Sequence, residues 1–482
     1  MQLPEASLSL RQMCFSKTAL IVFNDPEVRD FVNTHDIHNC IWTSYEIESF
    51  LGKEPVTLLN NAQVQELLSN RVISNLSQEY KHRFTDDGKG HSLPNKQWEI
   101  LLNQKLSSLS LPHMFKKEVT ALVRLVLIES YKWFQDHRLI IKPDTSLQNH
   151  FRWTQDNKID RQKTAKAIIH DDSIDIVDRF ILASQYCFQE DVLSIWGILD
   201  DAQQDIFQGG DIWVNCARYL EELANCCRLQ GNGISFLAIL NDSQSRYFLR
   251  RSLELARMWA NWARNGVELD WEKIAQYNHL GLQTYFPKLE QEKRLLHLLR
   301  YHHGIWINYH ELQFCLSILN RNEQSEILKK LPFQVIAVFL DWPVQEKLLD
   351  VVELLWPYLS EQNFCDLFDV MLFQKHLFNW IGNDYITLVK KLYKRCPFEH
   401  WKFIGKDSTY STLKFALQYD TSHFFPRELT EQSNDDNFLA FHSGTTAFVI
   451  SKYKGDFFRF MLPLRKTFSL YFRTNMRCFC QV

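Results

Sequence analysis

The residues best suited by type to hold a metal are four histidines, His297, His302, His303 and His310. Imidazoles on one helix converge only at spacings of three or four residues. His297 and His302 are five apart, a rotation of about 500°, so they do not share a face. Gly304 interrupts the segment before His310 is reached. Histidines satisfied by hydrogen bonds at a hairpin end are therefore expected, not a metal centre. The thiols give a similar answer. Cys226-Cys227 sits in a helical context where neighbouring side chains point about 100° apart. Cys478-Phe-Cys480 lies in a basic segment that favours thiolate, but with no histidine or second cysteine pair nearby. The carboxylate pairs Asp171/Asp172, Asp200/Asp201 and Asp435/Asp436 fall where helices should begin or end, which suits capping. Glu221/Glu222 falls within a helical stretch. No P-loop, dinucleotide-binding glycine pattern, nucleophile elbow, zinc-protease or EF-hand motif occurs, and Gly88-Lys-Gly90 and Gly231-Asn-Gly233 are isolated loop glycines. No catalytic, cofactor-binding or metal-binding residue is assigned. A non-enzymatic protein without a cofactor is the expectation.

The elements that would position any such group are helical. The 482 residues include only 15 glycines and 13 prolines, a thin supply of helix breakers. The 35 phenylalanines, 17 tyrosines and 14 tryptophans give many small helical units a large ring each to bury. A formal charge of −3 excludes any whole-molecule attraction for nucleic acid or anionic membrane. Eleven cysteines without a paired framework read as free thiols in a reducing compartment. Arg11 and Lys17 interrupt the apolar start, so neither a signal peptide nor a membrane span is expected, and the location expected is cytoplasmic.

Along the chain, residues 1–141 form an N-terminal helical region. Asn24-Asp25-Pro26 stops one helix and opens another, residues 62–80 follow an amphipathic helical spacing, and residues 85–94 are a loop. Pro112 opens the strongest helix, with Val119, Leu122, Val123, Val126, Leu127, Tyr131 and Phe134 on its apolar face. Residues 142–166 are a polar junction. Residues 167–405 then alternate short apolar helices with breaks every dozen or so residues, the pattern of αα-hairpins. Asp171 to Asp175 supply N-cap candidates for the first of these.

A weak internal repeat accompanies this alternation. Val192-Leu-Ser-Ile-Trp196-Gly-Ile-Leu199 aligns with Val352-Glu-Leu-Leu-Trp356-Pro-Tyr-Leu359, and Leu255 to Trp262 and Val389 to Cys396 align more loosely. Single hairpins cannot bury their apolar faces alone, so neighbours must stack. Trp196, Trp259, Trp262, Trp306, Trp342, Trp356, Trp380 and Trp401 are expected mainly as contacts between hairpins. Residues 406–482 lose this periodicity and are expected to be weakly ordered. Within 449–482, Lys452, Lys454, Arg459, Arg465, Lys466, Arg473 and Arg477 face one acid, Asp456, with Phe457, Phe458, Phe460, Phe468, Tyr471, Phe472 and Phe479 among the aromatic rings interleaved.

The stretch from Val177 to Trp196, followed by tandem short helices, resembles a lineage-expanded family of arthropod proteins, numerous in spiders, built as degenerate ankyrin-like helical-hairpin arrays. The resemblance covers about residues 160–405. It implies an all-α fold, an irregular ankyrin-like α-solenoid, and transfers no activity to any residue. The leading expectation is a scaffold or adaptor that binds a protein partner. The alternatives are a helical enzyme using histidine and carboxylate groups between the two helical regions, and a protein that reaches membrane surface or nucleic acid through its basic C-terminal segment.

Overall fold

The computed structural model describes residues 8–35, 37–44, 83–84, 96–109, 111–137, 140–141, 145–208, 243–278, 280–301, 308–375, 385–406, 410–418, 438–443 and 446–451. The expected helix at 62–80, the loop at 85–94, Cys226-Cys227, His302, His303, Trp306, Trp380 and most of the basic C-terminal segment lie outside these residues.

The N-terminal region comprises α1 (Leu10–Phe23), α2 (Pro26–Thr34), α3 (His38–Ile41), α4 (Gln97–Ser108) and α5 (His113–His137). Its breaks are local chemistry. Ser9 and Gln12 form a reciprocal capping box at the start of α1, and Asp25 caps α2 with Pro26 at its first position. Helix α5 packs along α1, and Val119, Leu122, Val123, Val126, Leu127 and Ile128 join Phe15, Phe23, Trp42 and Trp98 in one buried core.

After a 3-10 turn at Thr145–His150, the central region runs through α6 (Arg161–Ile169), α7 (Ile176–Gln185), α8 (Gln189–Trp196), α9 (Asp201–Gln208), α10 (Ser243–Asn265), α11 (Trp271–Tyr277), α12 (Leu282–Tyr285), α13 (Gln291–Tyr301), α14 (Tyr309–Ile318), α15 (Arg321–Lys330), α16 (Pro332–Val338), α17 (Leu348–Leu355), α18 (Glu361–Lys375), α19 (Tyr385–Arg395) and α20 (Phe398–Ile404). Asp175 is the N-cap of α7, as its position suggested. Packing runs largely between near neighbours in sequence: α6 on α7, α7 on α8 and α10, α15 on α16, α18 on α19 and α20. The described residues are mostly helical, and no helix among them is long and apolar enough to cross a membrane.

One helix-to-helix joint occurs four times among the described residues. At each, a buried leucine follows one helical stretch, the next residue immediately precedes another helix, and the residue five positions after the leucine closes the corner. The leucines are Leu199, Leu289, Leu319 and Leu359, all under 8% exposed. The backbone N–H of Gln204, Arg294, Gln324 or Phe364 donates to the carbonyl of the residue after the leucine. Their side chains then reach back. Gln204 Nε2 donates to the Leu199 carbonyl at 3.0 Å and to that of Trp196; Gln324 Nε2 donates to those of Leu319 and Leu316; Arg294 donates to those of Leu289 and Pro287. These bonds satisfy carbonyls that a helix C-terminus leaves unpaired. At the fourth joint Phe364 replaces the hydrogen bonds with a ring contact on Trp356, centroids 5.1 Å apart. Reciprocal caps reinforce three joints: Asp200 with Gln203, Asn320 with Glu323, and Ser360 with Asn363. The Trp196 and Trp356 segments aligned in sequence thus occupy equivalent corners. The looser match at Leu255 to Trp262 falls inside the uninterrupted helix α10.

The buried residues of the central region form a second core. It includes Trp133 from the last turns of α5, while Trp342 from the central region sits in the N-terminal core. Within residues 406–482, the described segments hold regular elements. Helix α21 (Tyr410–Gln418) packs on α19, and β2 (Phe438–Ser443) pairs antiparallel with β3 (Thr446–Ser451), which also runs parallel to the short β1 (Arg83–Phe84). Phe-Leu-Ala-Phe and Ala-Phe-Val-Ile are rich in aromatic and β-branched residues, and only two residues separate the strands, so a hairpin wins over a helix.

Candidate functional site

Among the described residues, one concavity lined by charged and aromatic groups lies where the central region begins. An open groove of about 440 Å³ is lined by Arg152, Gln162, Lys163, Lys166 and Phe188. Three elements build it: the tight turn from Trp153 to Ile159, helix α6, and the corner between α7 and α8.

The local folding of each element is readable in its bonds. Trp153 and Ile159 bridge antiparallel, and Thr154 donates its N–H to the Lys158 carbonyl at 2.8 Å. Asn157 takes φ 57°, a left-handed conformation that asparagine tolerates better than most residues. Asp160 caps α6 by accepting from the Lys163 N–H. Arg152 is fixed by its backbone: its N–H donates to Thr164 Oγ1 at 2.9 Å and its carbonyl accepts from the Asp160 N–H at 2.7 Å.

Phe188 stands at the outer end of a column of rings. Trp133 stacks on His137 at 3.9 Å, His137 on Tyr186 at 5.9 Å, and Tyr186 on Phe188 at 5.6 Å between centroids. His137 is buried with Nδ1 against the Trp133 carbonyl and Nε2 2.9 Å from the Tyr186 hydroxyl. A carbonyl only accepts, so Nδ1 carries the proton and Nε2 accepts from the phenol. Burial raises the Tyr186 pKa, keeping that donor in place. The ring facing the groove is thereby anchored through α5 to the N-terminal region.

The charged groups at the groove are partly paired. Lys166 Nζ lies 4.6 Å from the Phe188 centroid and 2.9 Å from Asp191 Oδ2, while His170 Nε2 lies 2.7 Å from Asp191 Oδ1. Lys163 reaches Asp160 at 2.9 Å. An Asp–His pair needs a nucleophile to do covalent chemistry, and no described hydroxyl or thiol hydrogen-bonds to His170. What the arrangement offers is positive charge beside an aromatic face.

A second cluster of charges lies behind the same turn, between α5 and α14. Lys158 approaches Glu129 at 3.8 Å, Arg161 pairs with Asp136 at 2.6 Å, and His310 pairs with Asp156 at 2.7 Å. Hydrogen bonding to Asp156 raises the His310 pKa. Burial works to raise the Asp156 carboxyl, but His310 outweighs it and holds that carboxyl below its usual range. Burial pushes the Lys132 ammonium down to about 8 against the opposing pull of Asp341, and burial also raises Glu311. These titratable groups lie, among the described residues, between the two helical regions. Its closest contacts are ion pairs that tie α6, the turn and α14 together with α5.

The candidates raised by residue type and spacing disperse among other duties. His297 meets the Tyr285 hydroxyl at 3.1 Å, and His310 is engaged by Asp156. Among the described residues no group of three metal-ligating side chains converges. Asp171 pairs with His150 and Asp172 with Arg179, and Asp200 caps α9. Trp196, Trp259 and Trp342 are buried, whereas Trp401 is 37% exposed. Sequence reading missed Arg152, Gln162, Lys163 and Lys166, because a polar stretch that reads as a junction hides an ordered turn and α6, and it missed Phe188, because the contacts that bring that ring to the groove are not local. The positive φ of Asn157 leaves only an Asp-Asn dipeptide as its trace. No protein-family model matches the chain, nor does any curated protein or solved structure.

Proposed function

We propose that this chain is a non-enzymatic, cytoplasmic scaffold of stacked helical hairpins that binds a protein partner, built in the manner of the ankyrin-like arthropod arrays it resembles. The recurring leucine joint supports the stacked architecture, since the same corner used repeatedly sets successive helix pairs at comparable angles. Six described cysteines, all free thiols, suit a reducing compartment. The observation that carries the binding function is the open groove lined by Arg152, Gln162, Lys163, Lys166 and Phe188. Arginine and aromatic residues concentrate interface energy, and the ring column makes this surface rigid before a partner arrives. The test is a photo-crosslinking amino acid in place of Gln162 in the full chain, irradiated in native cell lysate. A single protein adduct in near-stoichiometric yield, lost on adding Arg152→Glu, is expected. A spread of weak adducts indifferent to Arg152 would overturn the reading.

A further inference from the structure

The groove's chemistry specifies more than a partner in general, and the inference here rests on the scaffold reading above. Arg152 is exposed, its backbone is bonded on both sides, and its guanidinium makes no hydrogen bond or ion pair among the described residues. Lys163 is 77% exposed on its way to Asp160. Lys166 is held over Phe188 by Asp191. Three cations thus meet two nearby acids, Asp160 and Asp191, leaving an excess positive charge centred on Arg152. A guanidinium with all its donors free is the side chain best matched to a carboxylate, which it grips with two parallel bonds. The Gln162 amide beside it carries both a donor and an acceptor, the pair needed to read a peptide backbone. Phe188, backed by Tyr186 and His137, presents a fixed face for an apolar side chain.

We infer that the groove binds an acidic linear segment of the partner protein, with a carboxylate on Arg152 and a neighbouring apolar side chain against Phe188. Asp191 is then a built-in competitor, because it occupies Lys166 that would otherwise face the incoming acid.

The experiment uses the full chain and a short fluorescein-labelled peptide of aspartate and glutamate around a central leucine–phenylalanine pair, read by anisotropy at low salt. An otherwise identical peptide of asparagine and glutamine is the control. The acidic probe should bind and the amide control should not. Arg152→Glu should weaken binding by about tenfold or more, and Phe188→Ala should weaken it with the salt dependence unchanged. Asp191→Asn should tighten binding, a gain that misfolding cannot imitate. Equal binding of acidic and amide peptides overturns the inference, as does indifference to Arg152→Glu. So does displacement of the probe by inorganic phosphate or phosphatidylserine vesicles as readily as by unlabelled acidic peptide. A Gln162 crosslink that persists in excess acidic peptide sinks this inference and leaves the scaffold reading standing. Absence of both crosslink and peptide binding sinks the two together.

Discussion

The N-terminal and central regions are both helical, yet the central region adds a repeated short-range corner to long-range contacts such as that of Asn278 with the Gln185 carbonyl. In the N-terminal region the polar contacts join residues far apart: Arg11 with Glu118, Lys105 with Asp25 and Glu27, and Arg124 with Glu99 and the Cys40 carbonyl. In the central region each corner is closed within about eight residues, as Gln204 does for Trp196 and Leu199. Short-range closure carries a smaller loop-entropy cost and can be repeated along a chain. Long-range closure makes one particular assembly.

The largest effect that would probe this contrast comes from removing a ring in each region. Trp98 and Trp259 are both fully buried, and replacing either with alanine should cost about 3–5 kcal/mol. Denaturant unfolding followed by hydrogen exchange should show one cooperative loss in each variant, because α5 belongs to both cores. A Trp98→Ala protein that loses protection only before residue 113 would make the regions independent.

The next effect is steric. Gly281 packs so closely that an added Cβ would lie 2.7 Å from the Gln185 carbonyl and 2.7 Å from Asn278 Nδ2. Asn278 is a clasp there: its amide nitrogen donates to the Gln185 carbonyl, and its oxygen accepts from the Leu280 and Gly281 N–H groups. Gly281→Ala should destabilise by about 1–3 kcal/mol, checked by urea unfolding. A neutral result would mean that the corner between α7 and α8 yields easily.

The joints themselves predict a smaller, repeated loss. Gln204→Ala and Gln324→Ala should each cost about 1 kcal/mol, and the double variant should show additive losses, since the two joints share no partner. Phe364→Gln should restore the hydrogen-bonded form of the corner at the expense of its contact with Trp356. Strong non-additivity between Gln204 and Gln324 would show that the corners are not equivalent units.

The smallest effect is electrostatic. The His310 pKa is raised, so its contribution is full below the unfolded value of about 6.5 and fades as pH rises through the folded value. The Asp156 pKa is lowered, so its contribution is present above about 3.9 and lost as pH falls through the folded value. The gap in Tm between the parent chain and His310→Gln should therefore be larger at pH 5 than at pH 9. An equal gap at both would remove the pair from the seam's energetics. His310 is half exposed, which keeps the effect small.

How much of this was legible follows from the same difference in range. The helices of the central region could be read because their signals are local: Asp175 before α7, and the Trp-x-x-Leu segments ending at Leu199 and Leu359. The groove was not legible, because Arg152, Lys166 and Phe188 meet only through a turn and a ring column whose far end is Trp133. The strands at 438–451 were also missed, since a short hairpin in a polar setting offers little periodicity to detect.

Trp133 and Trp342 lie in opposite cores from the regions that supply them. A fragment ending at Ile141 would keep a pocket shaped for an absent Trp342, and one starting at residue 142 would lack the indole that roots its ring column. Neither half is a portable module. Recombination that exchanged one of them would have to bring a matching tryptophan with it, so the pair should be inherited together.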